Sequence, residues 1–470
     1  MAMGRRNREC QPELWVATGD LARAPRHVFY ERLNGLLAEA GFDSFLETLC
    51  ESYYATGRGR AGIPPGVYFR MLLVGYFEDI DSQRGIAWRC ENSLSLREFL
   101  GIPQTKRTPD HSSLTRVRDR LPLEVHERAF AFVLELAKQK KLLRGRVVGV
   151  DATTLEANAA MKSIVRKDSG EDWKQYLRRL MQEAGLIGED DEPPDEELQR
   201  FDRSRKGKKV SNSEWVSPAD PDSRIMKMKD GRTHLGYKAE HTVDLETDLI
   251  LSATVYHGDQ GDADTILPSL MEAQANLIRA GSSSQVKDVA ADKGYHRNST
   301  LAVLKRWGLR SYIPERQQKN RRWTDKPAGE EAAFRANRRR LRGARGRRLQ
   351  RLRSERVERS FAHVCHTGGA RRTWLRGLAK TSKRYLTAVM GHNLGLVMRK
   401  LFGTGKPREF AAVSAGLLAG VESLKALMKL SERSQTEIIR LRPHWMSVIC
   451  IADHIRNPRR KPAPALLQPV

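Results

Sequence analysis

The sequence predicts an α/β protein with a central mixed sheet, a helical region before it and a helical segment after it. Short β-branched runs alternate with helical patterns in the middle of the chain, and residues 147–150 form the clearest of these runs. The strand-like segments 234–243 and 249–257 are separated by a short polar stretch, which is hairpin spacing. A strand joined to a hairpin and then, through a helix, to another strand gives a mixed sheet flanked by helices.

Residues 1–145 are predicted to be helical, with helix starts at Pro64-Pro65, at Ser82 and at 108–113. The third of these helices carries three arginines between its apolar positions: Arg116, Arg118 and Arg120. This pattern favours a DNA-binding element, and the alternative is a helical bundle with a solvated basic face.

The predicted core spans 146–400, with an insertion at about 156–230 where the apolar pattern lapses. An acidic, proline-broken run at 188–197 and a basic run at 203–209 predict that this insertion is exposed. Residues 401–470 contain helix-like pieces and a proline-rich end, so we expect a helical tail.

An acidic residue closes each of two predicted strands. Asp151 follows the valine run, and Asp292 follows a second strand at 286–291. Taken alone, Asp151 is equally well interpreted as a turn residue that caps Thr153 and Thr154. In a mixed sheet the two strand ends can be neighbours, and that placement is what a metal site needs.

A third acid, Glu358, lies at the edge of a helical face that buries Val357 and Phe361. As a lone feature it would be a salt-bridge residue. Asp264 is either a fourth acid near the site or, with Asp262, a candidate cap for the helix that follows the hairpin.

The chain is strongly basic, with 83 Lys and Arg against 57 Asp and Glu in 470 residues, a net charge of +26 and a pI near 10.1. Such an imbalance indicates a polyanionic partner, and nucleic acid is the first candidate. The segment 319–353 holds 14 Lys or Arg and 3 acids, which favours phosphate contact over a solvated face. Further candidate DNA contacts are Lys293, Arg338, Arg339, Arg340, Arg356 and Arg359.

Several classes of protein are excluded by what the sequence lacks. The five cysteines are scattered and form no CxxC pair, so neither a disulfide framework nor a zinc knuckle is supported. No apolar stretch approaches the roughly 18 residues of a membrane span, and we expect a cytoplasmic, nucleoid-associated protein with no membrane partner. HExxH, P-loop and GxSxG motifs are absent from the sequence.

Three carboxylates suit one kind of chemistry in particular. Phosphodiester cleavage needs an activated nucleophile and a stabilised leaving oxygen, and two divalent ions roughly 3.5–4 Å apart supply both. Carboxylates hold such hard ions and leave positions for water and phosphate. Asp151, Asp292 and Glu358 fit this arrangement.

Three short stretches resemble the acidic motifs of DDE transposases from bacterial insertion sequences, most closely the IS-five superfamily and its IS-eleven-eighty-two branch. They are Val-Gly-Val-Asp-Ala-Thr at 148–153, Ala-Asp-Lys-Gly-Tyr at 291–295 and Glu-Arg-Val-Glu-Arg-Ser-Phe at 355–361. The resemblance extends to Pro64-Pro65, 82–84 and 108–114 near the beginning, and to His-Asn-Leu-Gly at 392–395.

This resemblance implies an RNase H-like catalytic core in which Asp151, Asp292 and Glu358 hold two Mg²⁺ or Mn²⁺ ions. It also implies an enzyme that hydrolyses a strand at each transposon end and uses the freed 3′-hydroxyl to attack target DNA. The expected partners are double-stranded DNA, as terminal inverted repeats and target, and a second copy in a homodimer or higher homo-oligomer.

The chain departs from the family pattern before its third motif, where the usual tyrosine-arginine lead-in is replaced by Arg351, Arg353 and Arg356. Glu355 is therefore a rival to Glu358. Asp288 is the rival to Asp292, and the Lys-Gly-Tyr that follows residue 292 favours Asp292. Two other functions stay open: a structure-specific nuclease without strand transfer, and an inactive copy that acts as a DNA-binding repressor.

Overall fold

The structure is a computed structural model that describes residues 17, 19, 21, 27–55, 62–206, 211–227, 231–315, 322–324, 326–327 and 329–409. Residues 1–405 form one compact unit, and 406–470 form a second, of which 406–409 are described. Most of the predicted tail and parts of the basic segment 319–353 lie outside the described residues.

In the region before the sheet, the described residues form seven α-helices: α1 (Val28–Glu39), α2 (Phe42–Cys50), α3 (Pro65–Phe77), α4 (Gln83–Glu91), α5 (Leu94–Phe99), α6 (His111–Arg120) and α7 (Leu123–Gln139). The three predicted helix starts are confirmed. Pro65 occupies the first turn of α3, where a missing N–H costs little. The side chains of Ser82 and Asp110 cap α4 and α6 by accepting the Gly85 and Ser113 N–H groups.

The strands are β1 (Val147–Glu156), β2 (Val165–Arg166), β3 (Trp215–Val216), β4 (Arg224–Lys227), β5 (Thr233–Asp244), β6 (Ile250–His257), β7 (Asp288–Ala291) and β8 (Arg310–Tyr312). The main sheet has the order β4-β5-β1-β7-β8, and β6 also pairs with β5. β1 is antiparallel to β5 and parallel to β7, and β7 is parallel to β8. The predicted mixed sheet and its β5–β6 hairpin are confirmed.

The segment 156–230 has more structure than the sequence pattern predicts. It contains α8 (Trp173–Glu183) and α9 (Asp195–Ser204), whose buried Leu177, Met181 and Leu198 form a small core of their own. Its last part, β4, pairs with β5 as an edge strand. The acidic run 188–197 is exposed almost throughout, as predicted, whereas the apolar residues of α8 and α9 share one face and pack together.

The remaining helices are α10 (Asp262–Arg279), α11 (Asn298–Arg306), α12 (Glu330–Arg342), α13 (Ala344–Phe361) and α14 (Leu378–Phe402). The basic segment is thus helical where it is described. Helix α13 crosses β1 closely: a Cβ on Gly149 would meet Val357 Cγ2 at 2.9 Å and Arg353 Cγ at 3.1 Å. Only glycine allows this approach, which brings α13 over the strand that carries Asp151.

The other helices cover the opposite face and the edge of the sheet. Thr265 of α10 donates to Glu240, which pairs with Ala152 and therefore projects from the face opposite Asp151. The Asn393 carboxamide of α14 exchanges two hydrogen bonds with the Ile250 backbone at the β6 edge. Among the described residues, no helix is both long enough and apolar enough to cross a membrane.

Candidate active site

Asp151 and Asp292 lie at neighbouring positions on two parallel strands. The last paired residues of β1 and β7 are Val150 and Ala291, and the two acids follow directly. Adjacent strands are about 4.8 Å apart. The register makes the two acids neighbours, and Asp292 directly follows β7 as predicted. The prediction that Asp151 ends its strand is wrong, because β1 continues to Glu156 through its pairing with β5.

The Asp151 carboxylate is partly buried and accepts a hydrogen bond on each oxygen. Its Oδ1 accepts from the Ala152 N–H at 2.8 Å, and its Oδ2 accepts from Arg353 Nη1 at 2.7 Å. Burial raises the pKa of Asp151 to about 6, an effect that Arg353 opposes and that the negative charges of Asp292 and Asp262 reinforce. The site is thus crowded with negative charge.

Asp292 begins a short 3-10 helix (Lys293–Tyr295), and its Oδ1 accepts the Gly294 N–H at 2.6 Å. A third carboxylate, Asp262, lies beside the same turn. A Cβ on Gly294 would meet Asp262 Oδ2 at 2.5 Å and Asp292 Oδ1 at 2.9 Å, so these two oxygens are at most about 5.4 Å apart. Gly294 leaves space for both carboxylates.

The sequence patterns did not identify Asp262 as a site residue and placed it, with Asp264, among candidate helix caps. That capping role is wrong, because the N-cap of α10 is Gly261 and no side chain caps it. The sequence feature that could have identified Asp262 is its place, as an acid, in the first turn of the helix after the hairpin. That feature does not show which strand end the turn approaches.

A buried polar network fixes the position of Asp262. Lys238 Nζ lies 2.8 Å from Asp262 Oδ1 and donates to Thr265 Oγ1 at 2.8 Å. The fully buried Glu240 accepts from Thr265 at 2.6 Å and from Tyr295 at 2.9 Å, which joins α10 to the turn after Asp292. Such a network fixes the relative positions of its members.

Glu358 lies at an exposed edge of α13, where its Oε1 accepts from the Ser354 hydroxyl at 3.3 Å. The same edge includes Gln350, which donates to the Ala291 carbonyl next to Asp292. Residues four apart follow one row of a helix, so 350, 354 and 358 run along the side of α13 nearest the two strand ends.

Glu355 lies on the other side of α13 and pairs with Arg359. Arg359 and Arg356 also pair with Asp248 in the β5–β6 turn, at 3.6 and 3.1 Å, near the opposite end of β1. Glu358 is therefore better placed than Glu355. Within the described ranges, however, no set of three or more Asp, Glu, His or Cys side chains is arranged to hold a metal ion.

Asp288 and Asp264 have other partners. Asp288 is buried at the beginning of β7, where Arg310 and Arg345 each donate to it at 2.7 Å. Burial acts to raise the pKa of Asp288, but the hydrogen bonds from the two arginines outweigh it and the pKa is lowered. Asp264 pairs with Arg297 on the surface, and that hydrogen bond lowers its pKa.

The arginines of α6 differ in their exposure. Arg116 is exposed and donates to the Ser112 hydroxyl, and Arg120 is exposed with its guanidinium over the Tyr54 ring. Arg118 is 8% exposed and lies 3.5 Å from Asp119. Only the first two present guanidinium groups to solvent.

The other candidate DNA contacts also divide into two groups. Lys293 and Arg339 are exposed. Arg338 pairs with Glu315 at 2.6 Å, and Arg340 bonds the Ser311 carbonyl at 3.0 Å. Arg356 and Arg359 pair with Asp248, so four of these six candidate contacts have a partner within the protein.

The three aspartates fit a divalent cation by their chemistry. Carboxylate oxygens are the ligands that Mg²⁺ prefers, and a cation would oppose the pKa-raising effects on Asp151 of its burial and of the Asp292 and Asp262 charges. In this structure the Arg353 guanidinium supplies that positive charge.

Two family models match parts of the chain. Residues 21–120 match "Transposase domain (DUF772)", and residues 314–398 match "Transposase DDE domain". The second segment includes Glu355 and Glu358, whereas Asp151 and Asp292 lie outside both. No curated protein and no solved structure matches the chain significantly. Both matched segments are thus similar to transposase domains, the second of them to a DDE domain.

Proposed function

We propose that this chain is the transposase of a bacterial insertion sequence of the IS-five superfamily, IS-eleven-eighty-two branch, with an RNase H-like core at 146–400. The observation that carries the proposal is the pairing of β1 with β7, which puts Asp151 and Asp292 side by side beneath the helix that bears Glu358. In this proposal residues 1–145 bind DNA and dimerise, and 401–470 form a tail.

Asp151, Asp292 and Glu358 would hold two Mg²⁺ or Mn²⁺ ions, which supply an activated nucleophile and stabilise the leaving oxygen when bound. The chain's own residues prepare the site for this. Arg353 keeps Asp151 ionised by opposing the pKa-raising effect of burial. The Lys238 network holds Asp262 beside Asp292.

The substrate is double-stranded DNA, first at the terminal inverted repeats and then at the target. A strand is cut by hydrolysis at each end, and the freed 3′-hydroxyl attacks the target. The exposed Arg116, Arg120, Lys293 and Arg339 are the best placed of the candidate contacts. Two ends must be processed together, so we propose a homodimer or higher homo-oligomer on DNA.

The experiment combines purified protein, a labelled duplex with the element's terminal repeat, a target plasmid and Mg²⁺. We expect joined product from wild type and none from Asp151→Ala or Asp292→Ala. Asp264→Ala is the matched control, because its carboxylate pairs with Arg297 on the surface and should be dispensable.

Cleavage without joining would instead favour the structure-specific nuclease. Specific binding to the repeat with neither cleavage nor joining would favour the repressor. Joining that survives both aspartate substitutions would contradict the site assignment.

A further inference from the structure

A basic cleft lies at the beginning of β1, away from the aspartates. A cleft of about 840 Å³ is bounded by the chain after α7, the β5–β6 turn, α13 and the end of α14. Its floor is apolar and includes Val147, Leu245, Leu349 and Val397, all of them buried. We call it the cationic cleft because of its rim.

Of the residues that the structure describes, six cations and one acid, Glu246, line this rim. Arg345 and Arg356 pair with Asp288 and Asp248. The other four are exposed and have no acidic partner among the residues that the structure describes: Lys141, Arg144, Arg348 and Lys400. Four such charges around one cleft repel each other, and a bound polyanion would relieve this repulsion.

The lining also indicates how an anion would be recognised. Its described residues include no aromatic side chain on which a base could stack. Flexible cations over an aliphatic floor suit phosphate groups, whose contacts position a nucleic acid without reading its sequence.

We infer that the cationic cleft binds the phosphodiester backbone of duplex DNA, and this rests on the proposed function. Val147 in the cleft and Asp151 are four residues apart on β1, roughly 13 Å. A duplex covers that distance in about four base pairs. The cleft therefore holds DNA that flanks the cut position, on the opposite side of α13 from the aspartates.

The acidic run 188–197 of a second copy would be a competing occupant. Two of its acids already have partners within their own chain, because Asp195 pairs with Lys174 at 2.6 Å and Glu192 with Arg178 at 3.3 Å. These ion pairs within the chain compete with binding of the run to the cleft, which favours DNA as the occupant.

The test measures how duplex binding by the full chain depends on salt. We expect Arg144→Gln/Arg348→Gln to reduce the slope of log K against log salt by about 1.8, because each lost phosphate contact removes about 0.9. A second pair, Lys141→Gln/Lys400→Gln, should act alike. Lys305→Gln/Arg306→Gln on α11 removes the same charge from exposed positions outside the cleft and should change the slope by less.

The loss of slope should be equal on a terminal-repeat duplex and on a scrambled duplex. The inference would be overturned if the cleft variants had the same slope as the α11 control pair. It would also be overturned if their slope fell on only one of the two duplexes. A change in oligomeric state without a change in slope would also overturn it, in favour of the acidic run.

The outcome is separable from that of the proposed function. In one such outcome, Asp151→Ala still joins DNA while the cleft variants show a smaller slope of log K against log salt. That result would support DNA binding in the cleft and contradict the catalytic role of Asp151. Melting temperatures equal to wild type would show that the variants fold.

Discussion

Arg353 Nη1 lies 2.7 Å from Asp151 Oδ2 and so joins helix α13 to strand β1 at the centre of the site. The two side chains are 13% and 22% exposed, so water screens their charges only in part. Because the other oxygen of Asp151 accepts the Ala152 N–H, this carboxylate is fixed in orientation before any ligand binds.

The first prediction concerns the stability that this ion pair contributes. Arg353→Gln should lower the free energy of unfolding by about 1–3 kcal/mol without divalent ions, since it leaves a partly buried carboxylate without its cation. Urea unfolding at pH 7.5 measures this. Arg347→Gln, an exposed residue of the same helix, should change stability by less than about 0.5 kcal/mol. Equal effects of the two substitutions would show that the ion pair contributes nothing.

The second prediction uses the space that Gly294 leaves. Gly294→Ala should reduce DNA joining by at least about tenfold, because the new methyl group would displace Asp262 and Asp292, the acids nearest to it. Its effect on unfolding should stay within about 1 kcal/mol, since the turn is partly exposed. Gly35→Ala in α1, where a Cβ meets no neighbour, is the control. Full joining activity of Gly294→Ala would show that the position of Asp262 beside Asp292 is not needed for joining.

The third prediction concerns pH and the buried His126. Burial lowers the pKa of His126 to about 4, aided by the charges of Lys383 and Arg118. The ordinary pKa near 6.5 applies to the unfolded chain, so the unfolded state gains the proton first. Stability is therefore full above about pH 6.5 and is lost as pH falls toward 4, by about 3 kcal/mol for this group.

Replacing the imidazole tests this pH dependence. His126→Gln should flatten the loss of stability between pH 6.5 and 4.5, as followed by urea unfolding. His111→Gln, at an exposed position of α6, should keep the wild-type slope. A His126→Gln slope identical to wild type would show that this histidine titrates normally.

Local patterns predicted much of the fold, because they depend on neighbours in the chain. The caps at Ser82 and Asp110, the β5–β6 hairpin and the strand end before Asp292 are of this kind. Helical spacing also placed Val357 and Phe361 on the buried face of α13, where both are found.

The rest depended on tertiary packing that no local pattern encodes. The helical spacing of α13 could not show that Arg353 pairs with Asp151. Asp262 approaches Asp292 only because α10 begins beside the end of β7. The charged runs around α8 and α9 obscured the apolar pattern of their small core, of which three residues are buried.

The central claim is that Asp151 and Asp292 hold the catalytic divalent ions, and calorimetric titration with Mn²⁺ tests it most directly. Wild type should bind Mn²⁺, whereas Asp151→Asn and Asp292→Asn should each weaken binding at least about tenfold. Asp264→Asn should bind as wild type does. Unchanged Mn²⁺ affinity in both Asp151→Asn and Asp292→Asn would contradict the claim.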